Sequence, residues 1–116
     1  MNRKTLTALK QSIAHHERML KFTKIEQFEY ESIYENHCFL CGLFNVDFDR
    51  RNNCIKCPVY KVTGEQYCGG TPWTKLATAF EKLKDAAYLR FNTDLLWQSF
   101  RKAERAEIKF LKSLLP

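Results

Sequence analysis

The sequence predicts a mainly α-helical single domain in which three helices surround a cysteine-bearing loop. One observation predicts the helices: apolar residues recur at three- and four-residue steps through an N-terminal tract and again through two C-terminal tracts, the rhythm of helices with one buried face. Another predicts the loop. All five cysteines lie between those tracts, in a segment punctuated by turn residues. A third sets the scale: at 116 residues, 45% hydrophobic and 14% aromatic, the chain suits one folded domain with a core modest enough to gain from a staple. The expected division is an N-terminal helix over 1–22, the cysteine segment over 36–70 and a two-helix part over 72–115.

In the first tract Leu6, Leu9, Ile13, His16 and Leu20 are spaced three, four, three and four residues apart, which places them on one helix face. His16 thus sits on the apolar stripe, where a core histidine bonded to a carbonyl is expected before a ligand. His15 points to the other side and is expected in solvent. After Phe22 the helical rhythm weakens. Phe28, Tyr30, Ser32 and Tyr34 alternate in the manner of a short strand, with an irregular lead-in or a continued helix as alternatives.

The second helix is announced by "TPW". Thr71 suits the N-cap, accepting from an otherwise unpaired amide, and Pro72 suits the first helical position, where no donor is needed. Trp73, Leu76, Ala77, Phe80, Leu83, Ala87 and Phe91 then form an apolar stripe. Asn92, Thr93 and Asp94 interrupt it and can cap a third helix running to about Leu115, ahead of Pro116. On that helix, turning about 100° per residue, Leu96, Ser99, Phe100, Ala103, Ala106, Phe110 and Leu114 share one arc. Arg101, Lys102, Arg105, Lys109 and Lys112 share the opposite one, with Trp97 and Ile108 on a flank between. A solvated helix face accounts for such a charge run. A basic strip beside an aromatic is also how phosphates and acidic partners are gripped, which makes these five cations and Trp97 the candidate partner surface.

The cysteines carry the strongest motif. Cys38, Cys41, Cys54 and Cys57 read C-x2-C-x12-C-x2-C. Each C-x-x-C turn can bring two sulfurs to one ion, and two such turns complete the tetrahedral sulfur set that structural zinc prefers. Gly42 and Pro58 favour tight turns after each pair, while "LFNVDF" followed by "DRRNN" reads as a small β-hairpin between them. The predicted architecture is therefore mainly α, three helices around a zinc-clasped cysteine loop with a small β-hairpin. Cys68 is the odd member, an alternative ligand or a buried thiol beside the metal. Five is a number that no closed set of disulfides uses up. The N-terminus has no continuous apolar stretch of a signal peptide, and no apolar run approaches the roughly 20 residues of a membrane span. A cytoplasmic location without membrane partners is expected, and a reducing compartment favours metal over disulfide.

Other chemistries fit less well. A thioredoxin-type redox site needs a βαβ frame around its C-x-x-C, which the sequence does not provide. A catalytic zinc needs an open position with an acid or base beside it; His37 and Glu65 are near in sequence, yet four thiolates close a site. Asp47 and Asp49 are expected at a solvated hairpin edge. No phosphate-cradling glycine loop or nucleophile motif is present, so a non-enzymatic protein is expected. The net charge of +6, from 19 Lys and Arg against 13 Asp and Glu, falls to about +4 once four thiolates hold one Zn²⁺. That balance is compatible with nucleic acid or with an acidic protein surface.

The elements "SIAHHERML", "CFLC", "CIKCPVYKVTGEQYCGGTPW" and "AERAEIKFLKSLLP", in that order, resemble a family of small proteins encoded by tailed bacteriophages and prophages. The resemblance spans nearly the full length and is most specific in its C-x-L-C, C-x-x-C-P and C-x-G-T-P-Y/W elements. This chain has His16 where the family pattern often has Trp, and Phe39 inside the first pair. The resemblance makes Cys68 a regular element of the pattern. The resemblance implies phage origin but supplies no activity. Phage origin together with the positive charge makes the leading expectation a non-enzymatic accessory protein in the cytoplasm of an infected cell that binds a host protein or protein–nucleic-acid complex, such as a defence or nucleic-acid-processing assembly. The alternative is a zinc protein that binds nucleic acid directly.

Overall fold

The computed structural model describes residues 1–29, 31, 57–64 and 70–116. These residues form helix α1 (Arg3–Leu20), a 3₁₀ turn (Ile25–Glu29), a short helix α2 (Pro58–Thr63), helix α3 (Trp73–Tyr88) and helix α4 (Asp94–Ser113). The described residues are mainly helical, as the periodicity requires, and no strand occurs among them. The expected hairpin lies outside them, together with Cys38, Cys41, Cys54 and Cys68.

Helix α1 starts where Asn2 Oδ1 accepts from the Thr5 amide at 2.8 Å, satisfying a donor that the helix itself leaves unpaired. At its other end the Phe22 amide donates to the Met19 carbonyl. Of the expected alternation after Phe22, Tyr30, Ser32 and Tyr34 lie outside the described residues, and up to Glu29 the backbone is not extended. The Gln27 side-chain oxygen accepts from the amides of Thr23 and Lys24 at 2.8 and 2.9 Å, which curls the backbone into the 3₁₀ turn. Only Phe28 of that turn is buried.

The start of α3 falls one residue later than expected, with Pro72 at the cap position and Trp73 the first helical residue. Thr71 Oγ1 accepts from the Trp73 amide at 3.2 Å, and Pro72 has helical torsions, φ −60° and ψ −14°. The helix stops earlier than its apolar pattern. Leu89 donates to Asp85, Arg90 to Ala87 and Phe91 to Ala86, the paired bonds of a Schellman termination. Arg90 occupies its left-handed position, with φ 60°, where glycine is the cheaper residue. Phe91, expected on the buried stripe, is consequently 66% exposed. Asn92 Oδ1 then accepts from the Asp94 amide at 3.0 Å and opens α4.

Helix α4 is the central element: α1 and α3 both pack along it. α1 runs antiparallel to α4, since Phe22 meets Arg101, His16 meets Glu104, and Leu9 shares a cluster with Leu111. One apolar cluster contains Met19, Phe28, Leu76, Phe80, Leu83 and Phe100. Its rings meet edge-on or tilted, with Phe28 4.7 Å from Phe80 and 5.4 Å from Phe100, as aromatic quadrupoles prefer. The other, at the opposite end of α4, contains Ala8, Leu9, Ile13, Val59 and Leu111. Val59 brings α2 into that cluster. This helix was not foreseen; Pro58 opens it, and Gly64 closes it with φ 73°.

The face that α4 buries differs from the expected one. Phe100 is buried, but so are Glu104, Glu107, Ile108 and Leu111, an arc turned by about 100° from the apolar arc of the sequence. Ser99 and Ala106, expected inside, are exposed, whereas Ile108 and most of Trp97 lie inside. Two inward-facing glutamates caused the error, because periodicity counts every carboxylate as an outward vote.

Candidate functional surface

The basic residues of α4 divide into two groups. Arg101 is withdrawn from the surface: its guanidinium donates to the Phe22 carbonyl at 3.2 Å and lies 5.2 Å over the Trp97 ring. Trp97 in turn packs on Phe28 and Phe100. Both are partly buried, Trp97 against the first apolar cluster, and so present less surface than the other residues of the expected partner strip. Lys102, Arg105, Lys109 and Lys112 are all exposed. Lys112 reaches Glu17 of α1 only at 3.8 Å, a spacing of little energetic weight in water. Among the described residues, no carboxylate pairs with Lys102, Arg105 or Lys109. The strip is thus an uncompensated run of positive charge, able to attract an anionic partner at a strength that salt would reduce.

The chain turn next to this strip carries an apolar group that sequence reading missed. Tyr88, Leu89, Phe91 and Leu95 are 87%, 58%, 66% and 75% exposed. Four large apolar side chains within eight residues exceed the scattered exposure usual on a soluble surface. The available signal was the off-stripe position of Tyr88, Leu89 and Leu95.

Between the apolar clusters lies a buried polar seam. His16 Nδ1 is 2.5 Å from Glu104 Oε1, and Glu104 is 0% exposed. That separation is within ion-pair distance. Burial pushes the Glu104 carboxyl above its ordinary value of 4.5, while the His16 hydrogen bond and charge pull the other way. His16 thus faces a carboxylate through Nδ1. His15, expected in solvent, is buried beside it, with the rings 5.5 Å apart edge-on, and its Nδ1 is 3.8 Å from Glu31. Arg18 donates to the same Glu31 oxygen at 2.6 Å. His15, His16 and Glu104 are all buried, while Glu31 is partly exposed at the edge of the seam.

Of the expected metal ligands, only Cys57 is among the described residues. It is half-buried against the Leu9–Val59 cluster, immediately before α2. Its C-x-x-C partner Cys54 lies outside the described residues. Among the described residues, no group of three or more His, Cys, Asp or Glu side chains is placed to hold a metal ion. None of their helices is long and apolar enough to cross a membrane. No family model matches the chain, and no curated protein or solved structure is significantly similar to it.

Proposed function

We propose that this chain is a non-enzymatic, zinc-stabilised phage accessory protein that binds a host protein or protein–nucleic-acid complex in the cytoplasm and alters its activity. The observation that carries the binding role is the exposed strip of Lys102, Arg105, Lys109 and Lys112 on one helix, three of them without a carboxylate partner among the described residues. The resemblance of the cysteine segment to small phage proteins supports the host-directed part. The two C-x-x-C pairs, Cys38 with Cys41 and Cys54 with Cys57, support structural zinc, with Cys68 as the alternative ligand. A bound ion would contribute folding free energy to a short chain, and α2 would transmit it to the core through Val59. The thiolate set supplies cohesion and offers no open position for chemistry.

Two measurements test this. Purified protein should contain about one zinc per chain, and chelation should loosen the helical core. Capture of host components from lysate should survive nuclease treatment and be lost in the Arg105→Glu/Lys109→Glu variant. Capture that vanishes with nuclease would instead support direct nucleic-acid binding. Capture indifferent to the charge reversal would remove the strip from the function altogether.

A further inference from the structure

We infer that the exposed stripe of α4 and the apolar α3–α4 turn form one seat, and that its occupant is an acidic amphipathic helix of a protein partner; this rests on the binding role proposed above. Leu95, Gln98, Lys102, Arg105, Lys109 and Lys112 are spaced three, four, three, four and three residues apart, and all of them are exposed. That is the spacing of a helix-packing seam. It runs about 26 Å along α4, the length of some five helical turns. A second helix laid against it meets one side chain of the stripe at each turn.

The chemistry of the stripe changes along its length. Its first position, Leu95, adjoins exposed Tyr88, Leu89 and Phe91, so an occupant must present apolar side chains at this end. From Lys102 onward each stripe position is a cation, so the remainder must be acidic to be complementary. A helix with apolar residues at one end of its face and Asp or Glu along the rest meets both demands.

Nucleic acid meets only the second. Tyr88 and Phe91 offer rings on which bases can stack, but Leu89 and Leu95 have no π-face. Asp94, exposed at the head of α4, offsets exposed Arg90 of the same turn, so this end offers a phosphate no net positive charge. The stripe lies along the outside of a helix and forms no groove around a strand.

The test measures fluorescence anisotropy of labelled synthetic probes. One peptide of about three heptads carries Leu at its first seam positions and Glu at the rest. A second has the same composition scrambled. Single-stranded and duplex oligonucleotides of matching length are the other probes. The patterned peptide should bind at least about tenfold tighter than the scrambled one and gain helical circular dichroism on binding. Leu95→Ser/Phe91→Ser and Lys102→Glu/Arg105→Glu should each erase that preference while keeping the fold, because all four residues are on the surface. Equal binding of both peptides, indifference to the Leu95→Ser/Phe91→Ser change, or tighter binding of an oligonucleotide overturns the inference. If the patterned peptide fails while charge reversal still abolishes capture from lysate, the binding role stands and this partner chemistry falls. If both fail, both fall.

Discussion

The two halves of α4 are built on different physical terms. Its first half, around Phe100, closes by dispersion and ring geometry: Met19, Phe28, Leu76, Phe80 and Leu83 surround it, and no buried charge needs a partner. Its second half runs from Glu104 to Leu111 and pairs the smaller Leu9–Val59 cluster with a buried seam of His15, His16, Glu104 and Glu107. The first half should depend little on pH, since its cluster buries no titratable side chain. The second depends on where protons reside, and through α2 it is coupled to the segment that carries the cysteine pairs. A protein that is one helix bundle by shape is therefore two regions by energetics.

The largest expected effect breaks the first half. Phe100→Ala removes a fully buried ring that faces Phe28, Phe80 and Trp97. Urea unfolding should show a loss of about 4 kcal/mol, nearly the same at pH 5 and pH 8. A loss below about 1 kcal/mol would show that the aromatic cluster does not dominate that end.

The second half should respond to pH in a way the first does not. Because Glu104 holds its proton more tightly when folded, the folded state binds more protons than the unfolded one between 4.5 and the raised value. The Glu104 contribution is therefore most favourable at acid pH and declines as pH rises through that window. Glu104→Gln should cancel this slope, so the variant gains on the wild type from pH 5 to pH 8. His16→Ala strands the carboxyl in the core and should cost about 3 kcal/mol at neutral pH, and less in acid. The paired change His16→Leu/Glu104→Leu should recover most of that loss, because apolar replacement of a buried pair is near neutral. Recovery identifies the seam as structural. Failure to recover, with a stable fold, would point to a role for the pair beyond packing.

The same contrast explains what could be read from the sequence. The helices around the first half were legible because their buried positions are apolar and their ends carry explicit caps, Thr71–Pro72 and Asn92. The second half was read with α4 turned by about 100°, since Glu104 and Glu107 face inward where periodicity expects solvent. His15 was misplaced for the same reason, and α2 escaped because six residues are too few to show a period. Of the six residues of the candidate strip, Lys102, Arg105, Lys109 and Lys112 are exposed, while Arg101 and Trp97 are partly buried. The apolar turn was lost because Phe91 was assigned to a stripe that the Schellman termination cuts short.

The smallest expected effect lies at that turn, outside both clusters. Arg90 holds φ 60°, a region in which a residue with a Cβ is disfavoured by about 1 kcal/mol relative to glycine. Its amide and that of Phe91 close the turn through backbone bonds to Ala87 and Ala86, which glycine would keep. Arg90→Gly should therefore stabilise the protein by up to about 1 kcal/mol, partly offset by the greater freedom of glycine in the unfolded chain. The gain should be equal at pH 5 and pH 8, because the turn is remote from the seam. A variant that is instead destabilised would mean that the arginine side chain itself ties the turn. Arg90 also sits among Tyr88, Leu89 and Phe91. A stabilised variant with weaker peptide binding would show that the left-handed residue is retained for its cation and not for the turn.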